Sequence, residues 1–460
     1  MNSLIQSQVA LLVISTFFAS LASESIAQPC SVLNEVQRLL PPSGESGTSV
    51  AISGDRAIVG THLDPAINVE AGSATIYKYD GTSWVKESYL TASDGKAGDF
   101  FGWSVAISGD VAVVGAYKKN GPLAFAGAAY VYRLVGDSWI EERKLVPFST
   151  ISSSQGMFGY SVSVSGDRIA IGAHTARFNF SNIGAVYTFR YNGSNWLDEQ
   201  VILRDDSDTG EWFASAVSIS GDKIVAGARY DDDFGSSSGS AYLFHHNGSQ
   251  WVQQAKLLAT DGQSGDQFGW SVSISGNTSV IGARGVNGGG SAYIFNYDGS
   301  WMEVTKLFAS DGETTGQFGY SVSIEEDDVI VGNRSAHSIG DDSGVANLYR
   351  YDGIDWIPNG TLLASDGSAN DLFGSSVAVS DGVALVGSPM AGGGEAYIFN
   401  ARVLPCSANL NCDDTLDFFD VSAFLAAFSS SDPIADFNED GNFNFFDVST
   451  FLVAFSAGCP

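Results

Sequence analysis

Two twelve-residue stretches near the C-terminus carry the densest chemistry in the chain: Asn409-Leu-Asn-Cys-Asp-Asp-Thr-Leu-Asp-Phe-Phe-Asp420 and Asp436-Phe-Asn-Glu-Asp-Gly-Asn-Phe-Asn-Phe-Phe-Asp447. Oxygen-bearing side chains recur at positions 1, 3, 5, 9 and 12. They are Asn409, Asn411, Asp413, Asp417 and Asp420 in the first stretch, and Asp436, Asn438, Asp440, Asn444 and Asp447 in the second. Thr415 and Asn442 hold position 7, where a main-chain carbonyl serves as ligand. Hard oxygen donors at this spacing select calcium, up to two ions, one per loop. The first loop has Asn409 in place of an acid at position 1 and Asp414 in place of the glycine that eases the turn at position 6, so it is expected to bind more weakly.

Position 12 is Asp rather than the bidentate Glu of two-helix EF-hands, and one apolar segment follows each loop, Val421 to Phe428 and Val448 to Phe455, read as helices. With Phe-Phe-Asp-Val in both halves and Gly458-Cys459-Pro460 at the end, residues 404–460 resemble a type I dockerin, of the Gly-Cys-terminated kind found on exported planctomycete proteins. The resemblance implies a small α-helical module with two EF-hand-type calcium loops. It also implies a protein partner, cohesin-like or an envelope protein, met by Phe418, Phe419, Phe445 and Phe446 at loop positions 10 and 11. So small a module also needs core aromatics, so one Phe of each pair is expected to be buried and the other free for a partner.

Ahead of this module lies a repeat. Ser-Val-Ala-Ile-Ser-Gly-Asp at Ser49 returns with its valine at Val105, Val162, Val217, Val272, Val322 and Val377, seven copies in all. Six are preceded by an aromatic and a small residue, as in Phe101-Gly102 and Phe268-Gly269, whereas the first has Ser46-Gly47. Each unit reads as four short strands, for example Trp103 to Ser108, Ala112 to Ala116, Ala128 to Leu134 and Trp139 to Leu145, with Ser-Gly-Asp joining the first two and Asp-Gly or Asn-Gly the last two. Four strands per repeat make a propeller blade. The last repeat stops at Tyr397-Ile398-Phe399 without its fourth strand, while Leu33 to Leu40 stands alone before the first and matches Trp251 to Leu258. A strand from the N-terminus is therefore expected to complete the last blade and close the ring, which removes exposed sheet edges.

The Phe-Gly openings and the later Val-Val-Gly-Ala resemble the FG-GAP repeats of integrin α-chain propellers, over roughly 33–403. That implies an all-β, seven-bladed propeller, here assigned to 28–403. The calcium-binding Asp-x-Asp-x-Asp-Gly loop of such blades shrinks here to Ser-Gly-Asp, so propeller calcium sites of that kind are not expected. Asp231-Asp232-Asp233 and Asp341-Asp342 lie in a longer loop, where clustered carboxylates either hold a cation or are simply solvated.

Composition bounds the partners. With 52 Asp and Glu against 22 Lys and Arg, the net charge of −30 repels phosphate backbones and anionic membranes and draws cations. Residues 1–27 read as a signal peptide: an apolar run from Val9 to Ala22, then a Ser25-Ile26-Ala27 cleavage site, although the first eight residues carry no Lys or Arg. Export to the cell surface, periplasm or exterior follows, without a membrane span. Cys30, Cys406, Cys412 and Cys459 permit three pairings. Cys406–Cys459 would constrain the tail by roughly 4 kcal/mol in the chain-entropy model, and Cys30–Cys406 is the alternative at the ring closure.

Catalysis is not expected. His62, His174 and His337 recur in loops without a paired Ser or Cys nucleophile and read as surface residues, and no arginine cluster for a carboxylate ligand stands out. Asp-Gly-x-x-Trp, as at Asp80 to Trp84, reads as a hairpin. The favoured function is an exported binding or adhesion-type protein whose propeller presents loops to a protein or glycan while the tail docks through calcium. The alternative is a tethered polysaccharide-active lyase or glycoside hydrolase.

Overall fold

Alternating apolar residues and Gly-containing turns fold each repeat into a four-stranded antiparallel sheet. In the second blade the strands are Phe101–Ser108, Val111–Ala116, Ala128–Val135 and Ser138–Leu145, each within a few residues of the sequence reading. The computed structural model describes residues 32–33, 35–65, 68–120, 125–148, 156–178, 181–206, 209–309, 316–401, 408, 410, 416, 418–430, 435–438 and 441–457. The expected signal peptide and all four cysteines lie outside these residues, as do Asn409, Asn411, Asp413, Thr415, Asp417 and Asp440. The chain divides into two units, 32–403 and the remainder with the tail from 404 onward.

The first unit is a seven-bladed β-propeller. Blade 7 takes three strands from Ser376–Ser380, Val383–Ser388 and Glu395–Asn400, and its fourth from Glu35–Leu39 at the other end of the unit. The register places Arg38 opposite Tyr397 and Leu39 opposite Ala396. The expected closure is thus present, but the N-terminal segment is not one strand. Val32–Leu33 pairs in parallel with Thr361 and Leu362 of blade 6, and the chain then crosses to blade 7. Buried Leu33 packs with Leu348 and Leu362, a position that Leu33 can fill only by leaving the strand that follows.

The repeated Phe-Gly has a clear packing role. Phe101 lies edge-on to Tyr130 of its own blade at 5.5 Å and packs with Ile58, Ile76 and Leu90 of the blade before, so it wedges between the two sheets. Each such ring buries apolar area that stabilises by roughly 1.5–3 kcal/mol. The following Gly102 has φ of +90°, and a Cβ there would meet the Ser73 carbonyl oxygen of the preceding blade at 2.1 Å, so only glycine permits this approach at no cost.

The Ser-Gly-Asp turns also link blades. Ser53 Oγ accepts the Gly109 N–H at 3.1 Å, and the same bond runs from Gly166 to Ser108, Gly221 to Ser165, Gly276 to Ser220, Glu326 to Ser275 and Gly54 to Ser380. In blade 6 Glu325 replaces the serine and accepts from the Asp381 N–H. The belt is continuous around the ring, including the step from blade 7 to blade 1. A second device ties the rim: Lys144, Lys256 and Lys306 of fourth strands pair with Asp94, Asp206 and Asp261 of the preceding connection. Arg38, on the closing strand, pairs with Asp366 in the same way, which is why Leu33 to Leu40 matches Trp251 to Leu258 in sequence.

In the second unit, helix α1 spans Phe418–Ser430 and α2 spans Phe445–Ala457, each beginning three residues before the apolar run read from sequence. Their shared core centres on Phe424 and Phe451, stacked at 4.1 Å and both about 1% exposed, with Ala408 and Ala435.

Candidate functional site

In the tail the described residues of the second expected loop run into the first turn of α2, which contains Asp447. Asn444 caps α2: its Oδ1 accepts the Phe446 N–H at 2.8 Å, while Asp447 Oδ2 accepts the Asn444 N–H at 2.8 Å, a reciprocal capping box. Asp447 Oδ1 also accepts the Asn438 N–H at 3.3 Å, and Asp436 Oδ2 accepts the Gly441 N–H at 2.8 Å, where Gly441 has φ of +73°. Loop positions 1, 3, 9 and 12 are thereby drawn together. Asp447 is fully buried; burial raises its pKa, but the amides of Asn444 and Asn438 and the adjoining Asp436 carboxyl outweigh that and hold it low. Asp420, the equivalent position of the first loop, is also fully buried.

The donor set suits a hard dication. Two carboxyl groups, Asp436 and Asp447, converge, and residues 404–460 carry nine acidic side chains and no Lys or Arg to neutralise them. Among the described residues no three Asp, Glu, His or Cys side chains gather as a metal site, because the second loop contributes only Asp436 and Asp447 there, with Asp440 outside.

The paired phenylalanines depart from expectation. Phe418 and Phe445 are 75% exposed, Phe419 65% and Phe446 66%, so none of the four is buried. The reason is geometric: the helices start early, the pairs fall at first-turn positions facing away from the Phe424–Phe451 stack, and Phe424, Phe428, Phe437, Phe443, Phe451 and Phe455 supply the core.

On the propeller, the Asp231-Asp232-Asp233 loop is compensated internally. Asp231, buried, accepts the Ser240 hydroxyl at 2.9 Å, and the Lys256 ammonium lies 2.9 Å from it, 2.7 Å from Asp206 and 2.8 Å from Asp233. The ammonium thus offsets the charge of this carboxylate cluster. The Asp341 side chain is turned to solvent. The Asp80 turn is a hairpin as read, its Oδ1 accepting the Thr82 and Ser83 N–H groups at 2.8 and 2.9 Å.

Two expectations are corrected by the register of the repeat. His62 and His174 are buried, 4% and 2% exposed, and they fall at the same blade position as Tyr117, Arg229, Arg284 and Arg334, directly after the second strand. Only His337 is an exposed loop residue. Burial, with Lys118 nearby, pushes the His62 pKa down to about 4; burial, with Arg229 nearby, pushes that of His174 to about 3. An arginine cluster does exist. The Arg229 guanidinium carbon lies 4.6 Å from the Trp212 ring centroid and 4.0 Å from that of Trp270; Arg284 lies 3.4 Å from Trp270, and Arg334 4.2 Å from Tyr320. The arc continues through His174–Trp212 at 4.6 Å, Tyr160–His174 at 4.2 Å, Trp103–Tyr160 at 5.5 Å and His62–Trp103 at 5.1 Å. Six blades thus contribute to a band around one mouth of the central channel, where Trp103, Tyr160, Arg229, Trp270 and Tyr320 line a cavity of about 290 Å³. The other end, about 350 Å³, is lined by Val, Ile, Ala and Ser of the inner strands, with Glu325. The signal for the arginines was their shared column after Gly-Ala or Gly-Asn, visible only once the repeats are aligned to blades.

The FG-GAP repeat model matches residues 84–132, 139–189, 196–244, 251–295, 301–349 and 356–399, more than half the chain. The chain belongs to the FG-GAP repeat family. Each FG-GAP match runs from the fourth strand of one blade to the third strand of the next, so the sequence repeat straddles the structural one. The three strands of blade 1 before Trp84, which lack the Phe of Phe-Gly, lie outside the matches, as does the tail. No curated protein matches the chain. Among the described residues no helix is long and apolar enough to cross a membrane.

Proposed function

We propose that this FG-GAP propeller is an exported, non-catalytic binding protein, with the propeller as ligand platform and the tail as a calcium-loaded, dockerin-like docking module. The single observation that carries the docking reading is the display of Phe418, Phe419, Phe445 and Phe446 on the first turns of two equivalent helices. Four exposed phenylalanines are costly on a small module unless a partner covers them. The two halves present them alike, so one partner site could be met by either half.

Calcium would sit between Asp436, Asn438, Asp440, Asn444 and Asp447, with the Asn442 carbonyl, and in the counterpart set from Asn409 to Asp420. The ion would supply positive charge to a module whose nine acidic residues are matched by no Lys or Arg in 404–460, and would fix the loop against α2. The family membership supports a binding or adhesion-type role for the propeller; export rests on the leader, and no catalytic group is assigned.

The test is capture from an envelope extract of the source cell by the immobilised full-length chain. A protein retained in calcium and released by chelator is the expected result. Equal retention in both conditions would remove the docking reading.

A further inference from the structure

We infer that the arginine–aromatic mouth of the propeller is a binding site for an anionic sugar residue, one that carries a carboxylate or sulfate on its ring. The inference rests on the binding reading of the propeller and is independent of the tail.

The first observation is uncompensated charge. The chain has 52 acidic residues, and arginines elsewhere meet them: Arg56 with Glu87, Arg133 with Glu142, Arg168 with Glu199 and Arg350 with Asp328. Among the described residues, Arg229, Arg284 and Arg334 form no ion pair, although they sit on three consecutive blades. The Arg284 pKa is pushed down by burial and by the charges of Arg229 and Arg334, so the three groups repel one another and have no acid to offset it. Only Arg284 has side-chain acceptors, the Gln267 and Gln317 carbonyl oxygens at 2.8 and 3.3 Å.

The second is a set of orphaned polar atoms gathered at this mouth. Ser215 Oγ and Arg229 Nε, on residues that line the cavity, and His62 Nδ1, His174 Nδ1 and Arg334 Nε, on side chains packed against the lining rings Trp103, Tyr160 and Tyr320, are buried without a hydrogen-bond partner. Arg229 is only 5% exposed. A buried polar group left unpaired is costly, so two in the cavity wall, with three more on the side chains behind it, point to a missing partner.

The third is the form of the arc. Stacking on Trp212, Trp270 and Tyr320 covers the guanidinium faces, which leaves the in-plane N–H forks for a planar or tetrahedral oxyanion. Next to the arginines along the arc, blades 2 and 3 bring partly exposed Trp103 and Tyr160, planes against which the apolar face of a pyranose can pack. Thr48, Ser215 and Ser375 add hydroxyl groups around the same cavity. Charge along one stretch of the arc, ring planes along the next and hydroxyls in the same cavity match a hydroxylated ring bearing one anionic group. An acidic peptide without apolar side chains would use the arginines but not the ring planes.

The test uses the full-length chain at about 0.15 M salt, where remote acids are screened beyond about 8 Å. Trigalacturonate, a sulfated galactose trisaccharide, neutral galactotriose and hexaglutamate are titrated by calorimetry and tryptophan fluorescence. At least one anionic sugar is expected to bind about tenfold or more tighter than both the neutral sugar and the peptide. Arg284→Gln and Arg334→Gln should each weaken it about tenfold with the melting temperature retained. No saturable binding of either anionic sugar, equal binding of galactotriose, hexaglutamate binding as tightly, or unchanged binding by both variants would each overturn the inference. Calcium-dependent capture through the tail should be the same in both variants, so failure here is separable from failure of the docking reading.

Discussion

The propeller and the tail both repeat phenylalanine, and they use it in opposite ways. Phe101, Phe158, Phe213, Phe268, Phe318 and Phe373 open successive blades and are at most 1% exposed, each wedged between sheets. Phe418, Phe419, Phe445 and Phe446 open two helices and stand 65–75% exposed. Repetition alone therefore does not tell core from contact surface. What decides is the neighbourhood: in the propeller the ring faces a cross-blade cavity lined by aliphatic residues, whereas in the tail that place is taken by the residues at helical spacing behind the pair.

The comparison can be broken most sharply at the wedge. Phe268→Ala should destabilise the propeller by about 3–5 kcal/mol, because the cavity between blades 4 and 5 cannot collapse while both sheets are held in the ring. Urea unfolding by tryptophan fluorescence reads this, since the tail has no tryptophan. A loss under about 1 kcal/mol would mean that the blades repack freely.

Acid should separate the two units next. His62 and His174 are held neutral in the fold, with folded values of about 4 and 3 below the ordinary 6.5. The unfolded chain therefore binds more protons in that interval, and propeller stability rises with pH there. It should fall as pH drops from about 6.5 toward 4, by up to about 1.4 kcal/mol per pH unit for each histidine. Glu45, 3.5 Å from His62, is the acid that would soften the effect. The tail has no histidine; its buried Asp447 has a depressed pKa, so its contribution is present above the ordinary carboxylate range and is lost only as pH falls below about 4. Parallel urea midpoints at pH 7, 5.5 and 4.5, with circular dichroism of α1 and α2, distinguish the windows; a flat propeller profile would refute the buried-neutral histidines.

Smaller still is the belt. Ser220→Ala removes the acceptor for the Gly276 N–H and should cost about 1 kcal/mol in the same unfolding assay. At the bottom of the scale, Phe418→Ser with Phe445→Ser should leave stability within about 0.5 kcal/mol while docking is lost.

Much of this was legible in one chain. The seven repeats marked by the valine column from Val50 to Val377 set the blade count, and the match of Leu33 to Leu40 with a fourth strand foretold the closure because Arg38 and Lys256 do the same work against Asp366 and Asp206. Less legible was the change of pairing partner between Val32–Leu33 and Glu35–Leu39, since two-residue strands leave no periodicity to read. The arginine mouth was hidden because Arg229, Arg284 and Arg334 are 50 or more residues apart and meet only through the ring. Burial of His62 and His174 was hidden for the same reason: a loop position in sequence is packed against the rings of the next blade, Trp103 and Trp212, in a propeller.

The central claim is that the exposed phenylalanines dock the protein while calcium holds the loops behind them. The direct measurement compares the wild-type chain with a Phe418/Phe419/Phe445/Phe446→Ser variant, both calcium-loaded, for the amount of envelope protein retained and for calcium affinity by calorimetry. The account predicts unchanged calcium affinity and at least about tenfold less retained protein. Equal retention by the variant would contradict it.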